Sequence, residues 1–353
     1  MHRTFIKRLV VSALLAAQAI ALPVMAADPI PGIKPPDVAD VLMDAQTDQA
    51  IQGALRYLAS KQSPSGAWSE KEHPVAFTGY VVMAFLATGN LPGEGEYGKT
   101  VARGVSYLLD CVGPNGYISS ASAAAGKKDS NMYDHGIAAI ALGEVYGQTK
   151  DPAVHAKLQL AIKLILSAQA KDGGWRYQPR PSDSDISVTV LQVVALRAAK
   201  NAGLDVPQET IEKAVGYVKS CNDPATGGFT YQPHNKQPGF ARTCAAIYSL
   251  QVCGKYDDPM IGPASKFIDA HKDDREWFTY GHFYAAPAKY MIGGQTWKDW
   301  YTSMNRKLMG AARRNGDQTS WAPIDGKLGD IYATAVYTMI LAMPYHYIPL
   351  YQR

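Results

Sequence analysis

Apolar positions recur at helical spacing along most of the chain, and they sort into two kinds of segment. In 207–221, Ile211, Ala214, Val215 and Val218 form one stripe, while Glu209, Glu212, Lys213 and Lys219 lie elsewhere. Such a helix buries one face and shows the other to water. Segments 186–199, 137–145 and 332–343 are instead apolar nearly all round. A helix of that kind is buried on every side. One-sided segments start near Thr47, Gly98, Pro152, Val206, Pro259 and Thr296, and all-round segments also fall at 77–87, 240–252 and 282–291. The strict alternation predicts six outer and six inner helices.

Between each outer and inner segment stands a tight turn ending in an aromatic or other apolar side chain. The clear ones are Gly66-Ala67-Trp68, Gly116-Tyr117-Ile118, Gly173-Gly174-Trp175 and Gly227-Gly228-Phe229; Glu276-Trp277-Phe278 and Gly316 to Trp321 are weaker. They recur every ~45 to 58 residues, the length of one helix pair. Glycine reaches the positive φ that a short exit from a helix needs. The expected fold is all-α: an (α/α)6 toroid of six helical hairpins, its inner helices forming a barrel with their N-termini at one end. An open solenoid also repeats, but its helices would not separate so cleanly into exposed and buried sets.

Residues 1–26 read as an export signal. Arg3, Lys7 and Arg8 precede an apolar run over 9–22, and Val24-Met25-Ala26 offers a small-residue cleavage point. The run is short for a membrane span. A proline-rich linker follows over 27–46, then the toroid over 47–353 with an aromatic tail, 344–351, that we expect to be extended and to close the seam of the ring. The protein is therefore expected to be periplasmic or secreted, touching a membrane only through its signal. The net charge of +4 falls to +1 once the three signal cations are removed, and no basic stripe remains for nucleic acid. Cys111, Cys221, Cys244 and Cys253 show no metal-ligand spacing, so they are core residues or disulfide partners, and neither a metal nor a cofactor is expected.

Gln62 to Trp68 and Gln169 to Trp175 both read QxxxGxW. This resembles the repeat of the prenyltransferase and squalene-oxidase-repeat superfamily, α/α toroids that include squalene–hopene cyclases and protein prenyltransferase β-subunits. The resemblance covers 47 to the C-terminus. It implies that Asp183-Ser184-Asp185-Ile186 stands where the cyclases carry DxDD, with Asp185 as alkene-protonating acid, Asp183 as the first aspartate and Ile186 replacing the last. The prenyltransferase zinc ligands are not matched: Arg242-Thr243-Cys244 keeps only the cysteine, and Tyr332 stands where the histidine is expected. The thioester motif of complement-type relatives is absent.

Polar residues gather at the predicted N-terminal ends of the inner helices, where they would converge on one mouth of a central cavity. Candidate catalytic residues are Asp185, Asp183, Asp134 and His135. Candidate ligand contacts are Tyr133, Arg242, His282, Tyr284, Asp330 and Tyr332. Asp134, Asp185 and Asp330 also occupy N-cap positions. Arg242, in the first turn of a buried helix, opposes the macrodipole and needs an acidic partner or ligand. Asp185 is the expected partner, which would keep that carboxylate ionised. The leading reading is an exported toroid holding an apolar, isoprenoid-like ligand, with terpene-cyclase-like chemistry if it is catalytic. The alternatives are a secreted carbohydrate-active lyase or hydrolase, in which Asp134 and Asp185 form an acid–base pair, and a non-catalytic scaffold for a protein partner.

Overall fold

The computed structural model describes residues 41, 43–70, 72–120, 131–179 and 181–351. The expected export signal and most of the linker lie outside the described residues. Twelve α-helices are present among them. The outer set is α1 (Ala45–Ser60), α3 (Gly98–Asp110), α5 (Pro152–Ser167), α7 (Gln208–Ser220), α9 (Ile261–His271) and α11 (Gly294–Ala311). The inner set is α2 (Pro74–Leu86), α4 (Met132–Thr149), α6 (Ile186–Asn201), α8 (Phe240–Val252), α10 (Phe278–Ile292) and α12 (Asp330–Ala342). Each inner helix packs against the next, and α12 returns to α2, so the ring is closed. The alternation seen in the sequence is the alternation of the fold.

The aromatic turns are the joints between hairpins. Trp68, Trp175 and Trp321 are fully buried, and their indole Nε1–H groups donate to Leu58, Ile165 and Leu308 carbonyls at 2.7–2.8 Å. Their backbone N–H groups donate to threonine hydroxyls of the following inner helix, Thr78, Thr189 and Thr334, each at 3.0 Å. Phe229 repeats the pattern with Thr243 at 2.9 Å. The motif glutamine ties the joint to the next hairpin: Gln169 Nε2 donates to Gly173 O within its own turn and to Thr210 O on α7. Gly173 has φ +97° and lies against the Lys213 carbonyl, where a Cβ would collide. It is glycine for both reasons.

The Glu276-Trp277-Phe278 turn departs from the pattern. Trp277 is 43% exposed and faces the barrel mouth instead of filling a joint. Before Trp321 the chain inserts a small antiparallel hairpin, β1 (Arg313–Asn315) and β2 (Gln318–Ser320), beside α1. All four cysteines are free thiols, Cys221 and Cys244 buried in the core.

The tail is not extended, although its Tyr345 hydroxyl bonds Asp48 on α1 and so ties the last hairpin to the first. It forms two short 3-10 turns, Met343–Tyr345 and Pro349–Tyr351, that cross the C-terminal ends of inner helices, with Ile348 and Leu350 buried. Its His346 Nδ1 pairs with Tyr290 Oη near the end of α10 at 2.7 Å. The prolines stop a helix, but they permit tight turns that plug the end of the barrel opposite the inner-helix N-termini.

Beneath this plug lies Glu144, 2% exposed. Burial pushes its carboxyl up to about 8 from the usual 4.5, against an opposing backbone contact at Leu350. The folded state therefore holds a proton that the unfolded chain has released, and stability declines as pH rises from about 4.5 to about 8. His135 and His282 act in the opposite sense: burial lowers them to about 4 and about 3, so their contribution is lost as pH falls below 6.5. Above pH 6.5 only Glu144 of the three acts. Replacing Glu144 with Gln should flatten the fall in denaturation midpoint between pH 6.5 and 8, which for one proton reaches at most ~1.4 kcal/mol per pH unit.

Candidate functional site

The N-terminal ends of the inner helices open onto a cavity of about 800 Å³. All six helices contribute to it: Phe77 from α2, Tyr133 and Asp134 from α4, Ser187 from α6, Arg242 from α8, Tyr280 from α10 and Tyr332 from α12. The polar loops before α2, α8 and α10 add His73, Lys236, Asp274, Glu276 and Trp277. The convergence of polar groups on one mouth is therefore a property of the fold.

A histidine–carboxylate pair stands in its lining. Asp134 is fully buried, and both of its oxygens lie 3.1 Å from His73 Nδ1. One oxygen also accepts the Asn131 N–H at 3.0 Å, closing a capping box with the Asn131 side chain at the start of α4. The carboxylate is thus fixed from its own helix and turned towards α2. With Nδ1–H donating to Asp134, the basic nitrogen of His73 is Nε2. The His73 side chain is 31% exposed and lines the cavity. Its backbone is left-handed, φ 58° and ψ 44°, immediately before Pro74 at the first turn of α2.

That conformation is not isolated. Among the described residues five non-glycine residues have positive φ, and three of them, His73, Trp277 and Leu328, line this cavity. Such conformations cost about 1–3 kcal/mol each and concentrate at functional sites. Here they aim an imidazole and an indole into the mouth.

The walls are aromatic. Tyr80 and Tyr332 meet edge to face at 5.0 Å, and Tyr133 and Tyr280 lie 6.1 Å apart. Burial raises the Tyr133, Tyr280 and Tyr332 phenols well above their ordinary value, so they stay protonated. The Tyr332 hydroxyl is buried with no hydrogen-bond partner among the described residues. A buried polar group in that state is costly unless something enters to bond it.

The other candidates read from the sequence go elsewhere. Asp185 does not line the cavity: one oxygen caps α6 by accepting the Val188 N–H at 2.9 Å, and the other lies 3.7 Å from Arg176 Nε. The expected Asp185–Arg242 pair is not formed: Asp185 is the N-cap of α6, Arg242 is the third residue of α8, and Arg176, in the loop leading to α6, sits beside the carboxylate. Nor does Asp185 titrate low: burial pushes it up, against the Val188 N–H, the Tyr231 hydroxyl and Arg176. Asp183 is exposed and bridges Arg176 and Gln232. His135 Nδ1 accepts the Ile118 N–H at 3.1 Å, and His282 Nδ1–H donates to the Phe278 carbonyl at 2.9 Å. Both rings are buried and neutral, away from the cavity lining. Tyr284 is buried behind Tyr280, and Asp330 pairs with Arg313. Of the ten sequence candidates, Tyr133, Asp134, Arg242 and Tyr332 come together. His73, Tyr280 and Trp277 were missed as site residues. The His73-Pro74 step at a helix start was the only local signal for the first.

No protein-family model matches the chain, and no curated protein matches it either. Solved structures do match in fold. A family 76 glycoside hydrolase (mannosidase) of Bacteroides thetaiotaomicron superposes with a TM-score of 0.63 at 10% identity, covering 85% of this chain and 98% of that one. The cellobiose 2-epimerase of Bacillus thermoamylovorans gives 0.63 at 10% identity, with 85% and 98% covered. An inactive α-1,6-mannanase variant from a Salegentibacter species, in complex with α-1,6-mannotetrose, gives 0.59 at 8% identity, with 85% and 98% covered. This likeness establishes the α/α toroid.

The expected isoprenoid function and apolar ligand are corrected by the same findings. These neighbours carry saccharide names, and one holds an oligosaccharide; they lend no support to a squalene-cyclase or prenyltransferase identity. The geometry gives the physical reason. The acid that would protonate an alkene lies outside the cavity, and the cavity wall carries five charged side chains, Asp134, Lys236, Arg242, Asp274 and Glu276. An isoprenoid would have to desolvate them without replacing their hydrogen bonds. Among the described residues no helix is long and apolar enough to cross a membrane.

Proposed function

We propose that this chain is an exported carbohydrate-active enzyme, a lyase or hydrolase, that works by general acid–base chemistry in the cavity at the inner-helix N-termini. The observation that carries the reading is the His73–Asp134 pair standing in an open, aromatic-walled mouth. Export rests on the signal pattern over 1–26. A saccharide presents apolar C–H faces and a rim of hydroxyls, and this site offers a partner for each. Trp277, Tyr280 and Tyr133 supply ring faces, whose negative quadrupole meets C–H hydrogens. The Asn131 side chain and the charged groups of the lining supply polar contacts around them.

In this reading His73 Nε2 takes or delivers the proton at the reacting centre. Asp134 holds the ring in one tautomer and stabilises the imidazolium when it forms. The structural neighbours are consistent with the substrate class. The test is turnover: the purified chain is incubated with a panel of neutral and acidic oligosaccharides, and products are resolved by chromatography and mass spectrometry. Conversion of one class, absent from His73→Ala protein of unchanged circular dichroism, is the expected result. A folded wild-type chain that leaves every oligosaccharide unaltered would overturn the reading.

A further inference from the structure

Arg242 occupies the third position of α8, whose N-cap is Gly239. Among the described residues it forms no ion pair, although it is partly buried and lines the cavity. The segment 236–242 lines the cavity without interruption, and it carries two cations, Lys236 and Arg242, and no acid. Asp274 and Glu276 line the cavity from the loop before α10, yet neither forms a salt bridge with Arg242. An unpaired cation in the first turn of a helix is placed against the macrodipole. Left to itself it costs stability; an anion at the same spot would be held by both.

The guanidinium packs closely against the backbone that leads into α8. Gly239 has φ −146° and ψ 155°, an extended conformation open to any residue. It is not glycine for its dihedral angles. A Cβ there would collide with Nη2, Nε and Cζ of Arg242, so glycine leaves the space that the guanidinium occupies. Glycine also brings no side-chain oxygen to cap the first N–H groups of α8. The cavity that this cation faces is walled by Phe77, Tyr80, Tyr133 and Tyr280, which leave Arg242 and Lys236 as the cations of this wall.

We propose that Arg242 receives an acidic substituent of the substrate, so that the saccharide taken by this cavity is anionic. A planar carboxylate or a sulfate ester suits the fork of a guanidinium, which bonds two oxygens at once. Lys236, on the same wall, adds longer-range attraction. The inference rests on the saccharide reading above and narrows it to a class.

The experiment is calorimetric titration of the full chain with size-matched oligosaccharides of three kinds: uronate-containing, sulfated and neutral. The acidic kinds should bind at least about tenfold more tightly than the neutral one, the range expected for hydrogen bonds to a charged group. Arg242→Ala should remove that preference by weakening the acidic kinds at least about tenfold more than the neutral one, and Arg242→Lys should retain part of it. The two acidic arms identify the substituent, since preference for one marks a carboxylate or a sulfate. Equal binding of neutral and acidic chains, or an acidic preference that survives Arg242→Ala in folded protein, would overturn the inference and leave the saccharide reading standing. Binding of none of the three would sink both together.

Discussion

Replacing His73 with alanine is expected to lower saccharide turnover by about 10²–10⁴-fold, the usual contribution of a positioned acid–base group. The loss should fall on kcat. His73 is one contact among many in a wide mouth, so KM should move only a few-fold. Because His73→Ala also leaves the buried Asp134 carboxylate without its imidazole partner, turnover is compared under conditions where circular dichroism shows the variant folded. Asp134 is a different case. It holds the imidazole but also closes the capping box of α4, so Asp134→Ala should lose turnover and ~1 kcal/mol of stability as well. Steady-state kinetics with urea denaturation separates the two. Unchanged kcat in His73→Ala would remove the dyad from the chemistry.

The second large effect is on folding. Trp175→Ala should destabilise the chain by about 3–5 kcal/mol, the range for truncating a buried tryptophan. Trp175 has no exposed surface, its indole N–H satisfies the Ile165 carbonyl, and its backbone N–H is held by Thr189. Removing the ring empties the joint and leaves the Ile165 carbonyl without that donor. Trp277→Ala provides the contrast. That side chain is 43% exposed and contacts the Lys327 ammonium at 3.7 Å, so its loss should cost no more than about 1 kcal/mol. Equal losses at the two positions, read from urea midpoints, would contradict the assignment of one as joint and the other as rim.

The toroid was legible in the sequence because its determinants are local and repeated. Apolar periodicity separates α6 from α7 without reference to any partner, and the glycine-aromatic turn carries its own backbone requirement. The convergent mouth followed from that, since every inner helix starts at the same end. The lining of the candidate mouth was legible only where a residue's direction is set by its helix position, as for Tyr133, Asp134, Arg242 and Tyr332. The rest depended on geometry that spacing does not encode. Asp185 is the N-cap of α6 while Arg242 is the third residue of α8, so the two are offset by three positions, and Arg176 reaches Asp185 from the preceding loop. The left-handed backbone that points His73 at Asp134 leaves no mark on the sequence beyond Pro74. Trp277 precedes the buried Phe278 in its turn, and only its exposure shows that it belongs to the mouth. The partial DxDD match misled for the same reason: Asp183 and Asp185 are arranged around Arg176 and the cap of α6, behind the cavity wall.

The most direct measurement of the central claim uses the tryptophans themselves. Five of the six, Trp68, Trp175, Trp297, Trp300 and Trp321, are at most 5% exposed, while Trp277 stands at the mouth with 43% exposure. Iodide quenching of intrinsic fluorescence therefore reports on Trp277. Titration with the oligosaccharides described above is predicted to protect it from iodide and shift its emission to shorter wavelength, and Trp277→Phe should abolish the response. Quenching that stays unchanged at saturating concentrations of neutral and acidic oligosaccharides alike would contradict a saccharide site in this cavity.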